Sequence, residues 1–127
     1  MKLTILISIV FVSLVYFTCE GQRSDKVGVQ TFESLLKQKK GVLLDVRTPE
    51  EFTAGHLPGA MLLDYYNDTF EKSAAQLDKT KPVFVYCKTG GRSSSAAKIL
   101  RDLGFKEVYD LNGGITAWKN AGKPVEK

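Results

Sequence analysis

The chain has 127 residues, 43% of them hydrophobic and 25% charged, which suits one globular domain and excludes a disordered or collagen-like polymer. The formal charge is +4 and the pI about 9.1, but Lys and Arg are interspersed with Asp and Glu, so the surface reads as solvated and mildly basic and not as a nucleic-acid-binding strip. Two cysteines and a single histidine, His56, argue against a disulfide framework and against a metal centre.

The first stretch differs from the rest. Met1-Lys2 is followed by an uncharged run from Leu3 to Phe17, then by Thr18-Cys19-Glu20-Gly21-Gln22-Arg23. As a helix, Leu3 to Cys19 reaches only about 25 Å, short of the roughly 30 Å hydrocarbon core of a bilayer. Residues 1–21 therefore read as a secretory signal peptide, with the small residues Cys19 and Gly21 ahead of a cut before Gln22. Lipoprotein-type modification at Cys19 is an alternative, for which Tyr16-Phe17-Thr18 is a poor lead-in; an uncleaved anchor is another. Each predicts an exported domain, periplasmic or otherwise extracytoplasmic, that meets a membrane only through this end. Residues 22–26 follow as a short linker and 27–127 as the folded domain. With Cys19 removed or lipidated, Cys87 is the only thiol of the domain, and in an oxidising compartment a lone thiol is either buried or used.

From Val29 onward helix-like and strand-like segments alternate, the pattern of an α/β domain. Phe32, Leu35 and Leu36 stand at i, i+3 and i+4, with Gly28 as N-cap and Gly41 past the end, which predicts a helix over 29–39. Val42 to Val46 reads as a buried strand. Thr48-Pro49-Glu50-Glu51 has an N-cap, a proline at the first helical position and a glutamate that completes a capping box. Gly55 stops that helix, His56-Leu57-Pro58-Gly59 is a turn, and Ala60 to Leu63 a short strand. Asp68 and Glu71 repeat the capping-box spacing ahead of a helix marked by Phe70, Ala74 and Leu77.

Val83-Phe84-Val85-Tyr86 then leads into Cys87-Lys88-Thr89-Gly90-Gly91-Arg92, and a helix follows with Ala96, Ile99, Leu100 and Leu103 on one face. Gly104 and Phe105 fit a Schellman ending, and Val108 to Leu111 is the next strand. Strand, loop, helix and strand form a βαβ unit with Cys87 at the carboxyl end of a central parallel strand, where open α/β sheets hold their ligands. A cysteine there meets unpartnered helix N–H groups and the positive end of the helix dipole, which together stabilise a thiolate. The alternative is a small apolar residue capping a core strand.

Three segments together resemble the rhodanese-like family. Asp45-Val46-Arg47-Thr48-Pro49-Glu50-Glu51-Phe52, continued by Gly55-His56-Leu57-Pro58-Gly59-Ala60, is similar to its D-V-R-x-x-x-E-F/Y-x-x-G-H-I/L-x-G-A signature. Cys87 to Ser93 resembles the C-x-x-G-x-R-S active-site loop. Leu111-Asn112-Gly113-Gly114, Trp118, Gly122 and Pro124 resemble the closing L-x-G-G-x-x-x-W-x-x-x-G-x-P pattern. The resemblance implies a single domain with a small, mostly parallel sheet flanked by helices on both faces. It also implies a thiosulfate-type sulfurtransferase that needs no cofactor or metal and works as a monomer. Cys87 is then the nucleophile, and Lys88, Thr89, Gly90, Gly91 and Arg92 form the loop that binds substrate and persulfide. The partners implied are a small anionic sulfur donor and a thiol, protein-thiol or, in an assay, cyanide acceptor. A non-enzymatic persulfide carrier or docking module is the alternative.

Loop length separates this chemistry from phosphatases of related fold. Four residues intervene between Cys87 and Arg92, one fewer than in the protein tyrosine phosphatases, and Ser93 stands at the phosphatase arginine position. A tighter loop suits one sulfur atom better than a tetrahedral phosphate, and the loop carries no carboxylate to act as a general acid. Among the flanking charges, Arg92 is expected to pair internally with a carboxylate such as Asp45, and Lys88 to attract substrate. Arg47 and Glu51 are expected to pair around the first capped turn, His56 to make fixed hydrogen bonds near its turn, and Trp118 to pack in the core.

Overall fold

The computed structural model describes residues 26–127. The leader reading of residues 1–21, with Cys19, lies outside the described residues, as does all of the linker except Lys26. The elements in chain order are β1 (Lys26–Val27), α1 (Val29–Gln38), β2 (Val42–Asp45), α2 (Pro49–Ala54), β3 (Met61–Leu62), α3 (Phe70–Ala74), β4 (Val83–Tyr86), α4 (Gly91–Asp102), β5 (Val108–Leu111) and α5 (Gly114–Asn120). The five strands make one sheet in the order β1-β5-β4-β2-β3. Every pairing in it is parallel.

Strand periodicity decides which helices lie on which face. Successive side chains of β4 point to opposite sides. Val83 and Val85, continued by Cys87, join Leu44, Ala96, Ala97, Leu100, Phe70 and Ala74 in one core layer, under α3 and α4. Phe84 and Tyr86 join Leu43, Phe32, Leu111, Ile115 and Trp118 in the other, under α1 and α5. All four residues of β4 are buried, as a central strand covered on both faces requires. Each fully buried aliphatic or phenyl side chain contributes about 1.5–3 kcal/mol against exposure, so β4 is the best-anchored strand on which to hang a reactive residue.

The local signals mostly become the structures expected of them. Thr48 caps α2, and its side chain and that of Glu51 close the capping box in both directions. At the end of α4, Phe105 N–H bonds Leu100 O at 3.2 Å and Gly104 N–H bonds Arg101 O at 3.0 Å, the two bonds of a Schellman motif. Helix α1 stops at Gln38, with Lys39 already extended, two residues before Gly41.

The second capping box does not form. Asp68 lies before the cap, Thr69 is the N-cap without a side-chain bond into the helix, and α3 ends at Ala74, short of Leu77. The Asn67 side chain accepts from Thr69 N–H at 2.9 Å and from the Thr69 hydroxyl at 2.8 Å, and that local turn displaces the Asp68 cap. Strand β1 has no counterpart in the reading of the sequence. It is two residues long and pairs only with β5. Among the described residues no helix is long and apolar enough to cross a membrane.

Candidate active site

Cys87 leaves the end of β4 and is 1% exposed. The chain turns at Gly90, whose φ of +123° suits glycine and strains a residue with a Cβ, and enters α4 at Gly91. That turn aims the Gly90 N–H at Cys87 Sγ, 3.1 Å away. The Ser93 hydroxyl, fully buried, lies 3.4 Å from the same sulfur and donates to Gly90 O at 3.2 Å. The sulfur thus sits at the first turn of a twelve-residue helix, with the Gly90 N–H donating to it and the Ser93 hydroxyl accepting from its thiol.

Helix α5 orients the other side of the loop. Ile115 N–H bonds Cys87 O at 2.9 Å and Thr116 N–H bonds Lys88 O at 3.1 Å. The C=O and N–H of a planar trans peptide point in opposite directions, so holding these two carbonyls on α5 turns the N–H groups of Lys88 and Thr89 toward the opposite face, where the Cys87 side chain lies. The close approach explains Gly114. A Cβ there would sit 2.4 Å from Cys87 O and 2.5 Å from Lys88 O. The paired glycines were legible as part of a family pattern, but their contact with the loop was not.

The mouth above Cys87 is a recess of about 390 Å³, framed by Tyr65, Tyr66, Thr89, Gly91, Arg92 and Ser95. The structure brings Thr89, Gly91 and Arg92 to it and leaves Lys88 outside, in the wall of a neighbouring recess. The tyrosines gave no sequence signal. Tyr66 is 67% exposed, with the Arg92 guanidinium 5.6 Å from its ring centroid.

The charges pair differently from the expectation. Arg92 bonds Glu51, not Asp45, in a two-pronged contact: Nη1 to Oε2 at 2.7 Å and Nη2 to Oε1 at 2.9 Å. Arg47 bonds Asp45, not Glu51, through Nη2 to Oδ2 at 2.7 Å and Nε to Oδ1 at 3.0 Å, and also donates to Gly55 O at 2.7 Å. The tight turn after β2 puts Asp45 and Arg47 back to back, with the Arg47 N–H itself on Asp45 Oδ1 at 2.9 Å. Glu51, raised on the first turn of α2, faces α4 instead. The Tyr86 hydroxyl completes the buried group, donating to Asp45 Oδ2 at 2.6 Å and accepting from Leu57 N–H at 3.0 Å. Burial and then the Asp45 contact push its phenol far above its ordinary range. Arg92, helped by the Thr48 backbone and hydroxyl, holds the Glu51 carboxyl down at about 2.

His56 does not line this mouth, and its contacts are with Phe52 and Glu126. Its ring stacks on Phe52 with centroids 3.8 Å apart, Nδ1 lies 3.0 Å from Phe52 O, and Nε2 lies 3.4 Å from a Glu126 carboxylate oxygen. Trp118 is buried, with its indole N–H on Pro124 O at 2.8 Å. Among the described residues no cluster of His, Cys, Asp and Glu could hold a metal ion. Asp110 was missed in the sequence. It is 2% exposed, accepts from Ser94 at 3.1 Å and lies 3.9 Å from Lys26. Its other oxygen has no partner, and burial raises its carboxyl above the ordinary value.

Known proteins with the same arrangement are numerous. A family model described as a rhodanese-like domain matches residues 28–121. A thiosulfate sulfurtransferase GlpE of Tolumonas auensis is 34% identical over 95 residues, covering 75% of this chain and 88% of the relative. One from Vibrio cholerae is 34% identical over 100 residues, covering 79% and 92%. Among solved structures, a rhodanese-like domain of an Anabaena protein is similar at a TM-score of 0.70 and 31% identity, covering 80% of this chain and 78% of that one. A rhodanese-related protein of Thermoplasma volcanium is similar at a TM-score of 0.71 and 27% identity, covering 80% and 96%. A parallel five-stranded sheet, a cysteine cradled between its central strand and the next helix, and a family match that runs from α1 through α5 place this chain in the family of rhodanese-like domains.

Proposed function

We propose that this protein is a sulfurtransferase that moves a sulfane sulfur from a small anionic donor such as thiosulfate to a thiol acceptor through a persulfide on Cys87. In the first step the Cys87 thiolate attacks the outer sulfur of thiosulfate. A Cys87–sulfur bond forms, the donor's sulfur–sulfur bond breaks, and its electron pair leaves on sulfite. In the second step an acceptor thiolate, or cyanide in an assay, attacks the terminal sulfur and returns Cys87 as thiolate. Charge is conserved in both steps, and no metal or redox cofactor enters.

The observation that carries this reading is the Gly90 N–H aimed at Cys87 Sγ at 3.1 Å. A donor already in place costs no reorganisation when charge arrives on sulfur, and the four-residue spacing from Cys87 to Arg92 supports a cradle for one atom. A persulfide moves the reactive sulfur about 2 Å outward, from a residue that is nearly fully buried into the mouth. Arg92 is committed to Glu51, which supports a framing role for it in place of direct capture of substrate. The apolar run Leu3 to Phe17 supports an exported protein, testable by the N-terminal mass of material purified from cells.

Intact mass after thiosulfate treatment tests the chemistry. The expected result is a gain of one sulfur atom, reversed by cyanide and absent in Cys87→Ser. An unmodified protein that hydrolyses a phosphoester sinks it. Rapid discharge by small thiols marks an enzyme, and discharge only by a protein thiol marks a carrier.

A further inference from the structure

The lysines are scattered along the chain, but the parallel register of the sheet gathers several of them at one edge. Val42, Val83 and Val108, the first residues of β2, β4 and β5, are paired side by side. Lys40, Lys81 and Lys106 each stand two residues ahead of one of these valines. Backbone bonds carry the pairing out toward them, from Val42 N–H to Pro82 O at 2.9 Å and from Val83 N–H to Glu107 O at 2.9 Å. With neighbouring strands about 4.8 Å apart, the three lysines form a row of roughly 10 Å across the amino edge of the sheet. All three are exposed, and none of their ammonium groups has an ion pair or hydrogen bond among the described residues. Lys39 and Lys79 flank the row, the first bound to Glu107 at 3.1 Å and the second with its stem 3.8 Å from the Cβ position of Gly104. Asp78 is turned onto the Thr80 hydroxyl at 2.6 Å. Five lysines against Asp78 and Glu107 leave three positive charges uncompensated at this edge. The end of α4 adds Arg101 and a Lys98–Asp102 pair at 3.0 Å, and so keeps the sign.

The chain enters the fold from the same edge. β1 runs parallel to β5, with Lys26 beside Asp110, so β1 starts on the amino side of the sheet. Eight residues, 18–25, separate the apolar run that ends at Phe17 from Lys26, and at full extension they span at most about 30 Å. Cys87 is at the opposite edge, about 13 Å along β4 from Val83.

We propose that the amino edge of the sheet is a membrane-facing surface, on which Lys40, Lys81 and Lys106 rest against anionic lipid headgroups while Cys87 is turned toward solvent. An apolar end attached at that edge and a cluster of free ammonium groups beside it are the two elements of a peripheral membrane contact. An acidic protein matches the charge alone. Where the apolar end is cleaved, the lysines act by themselves, with weaker binding that keeps the same dependence on headgroup charge. The proposal takes its direction from the apolar end and nothing from the sulfur-transfer reading.

Lysine footprinting tests it. Protein purified from cells, in the N-terminal form that its mass shows, is placed on vesicles of phosphatidylglycerol and phosphatidylcholine in equal amounts, or of phosphatidylcholine alone. Its lysines are acetylated with an N-hydroxysuccinimide ester and read by peptide mass spectrometry. On the anionic vesicles acetylation of Lys40, Lys81 and Lys106 should slow about fivefold or more relative to the neutral ones, with Lys88 and Lys119, which line a recess beside the active-site loop, within about twofold. The difference should vanish at about 1 M salt. Lys40→Glu/Lys81→Glu/Lys106→Glu changes three exposed side chains outside the core and should remove the protection of Lys79 by anionic vesicles. Equal rates on both kinds of vesicle, or protection at Lys88 as strong as in the row, overturns the proposal. Protection by soluble polyglutamate with none on anionic vesicles assigns the edge to an acidic protein and overturns it as well. Failure of Cys87 to load sulfur in solution, with the row protected, overturns the sulfur-transfer reading and leaves the membrane surface standing.

Discussion

Replacing Glu51 by Gln keeps the shape of the side chain and removes its charge, at the residue that joins the cap of α2 to the active-site loop. The carboxylate accepts from two Arg92 nitrogens at 2.7 and 2.9 Å, from Thr48 N–H at 2.9 Å and from the Thr48 hydroxyl at 3.0 Å. Its descent from an ordinary 4.5 to about 2 sets an upper limit near 3 kcal/mol. The Glu51 side chain is 30% exposed, so screening reduces this, and about 1–2 kcal/mol is expected for E51Q at pH 7. The sign in pH is set by the direction of the shift. A lowered folded value stabilises the fold above 4.5, and that stabilisation is lost as pH falls from 4.5 toward 2. Urea titrations of both proteins from pH 7 downward should give a gap that is constant to about pH 5, less than half as large by about pH 3, and unaccompanied by a change in m. Persulfide turnover should drop several-fold, because Arg92 then loses the anchor that frames the mouth. A gap below about 0.3 kcal/mol at neutral pH, or one that stays the same in acid, refutes the reasoning.

Further outcomes follow from the same contacts. Cys87→Ser should abolish persulfide formation while its unfolding free energy in urea changes by less than about 1 kcal/mol, since one buried atom changes in an otherwise unchanged site; residual turnover in that variant removes Cys87 from the chemistry. Gly114→Ala drives a Cβ into two backbone carbonyls and should cost about 2–4 kcal/mol. Thr116→Pro removes the N–H held by Lys88 O near the start of α5 and sets the ring Cδ against that carbonyl, so the loop must shift and turnover should fall about tenfold or more; wild-type turnover in that variant contradicts the account of the cradle. Asp110→Asn tests the buried carboxyl. A raised folded value means that the wild type is favoured while the group is protonated and loses ground as pH rises through that value. The variant should therefore gain on wild type between about pH 3.5 and 7 in urea titrations, and a gap that moves the other way is incompatible with a desolvated carboxyl.

Features that depend on a few neighbouring residues were legible in the sequence. The capping box of Thr48 and Glu51 needs only residues three apart, and it forms with one Glu51 oxygen serving both Thr48 and Arg92. Asp68 and Glu71 have the same spacing, but Asn67 offers Thr69 a shorter loop of hydrogen bonds, and the cap is lost. The alternation along Val83 to Cys87 settles which side chains share a face, and with it the side of the sheet on which the sulfur emerges. The three motifs in order settle the family.

Tertiary structure decided the partnerships. Asp45, Arg47, Glu51 and Arg92 carry two opposite pairs of charges, and either pairing satisfies electroneutrality. The choice between them depends on the turn after β2 and on how α2 stands against α4, with Glu51 and Arg92 41 residues apart in the chain. Gly114 could be seen to belong to a motif, but only the packing of α5 against the loop shows that a hydrogen there admits two carbonyls. β1 is too short to bury a periodic face and exists because β5 supplies its hydrogen bonds. Short-range order in this chain follows from residue type and spacing because those forces act over one turn of backbone; long-range contacts are chosen by which surfaces the folded sheet brings together.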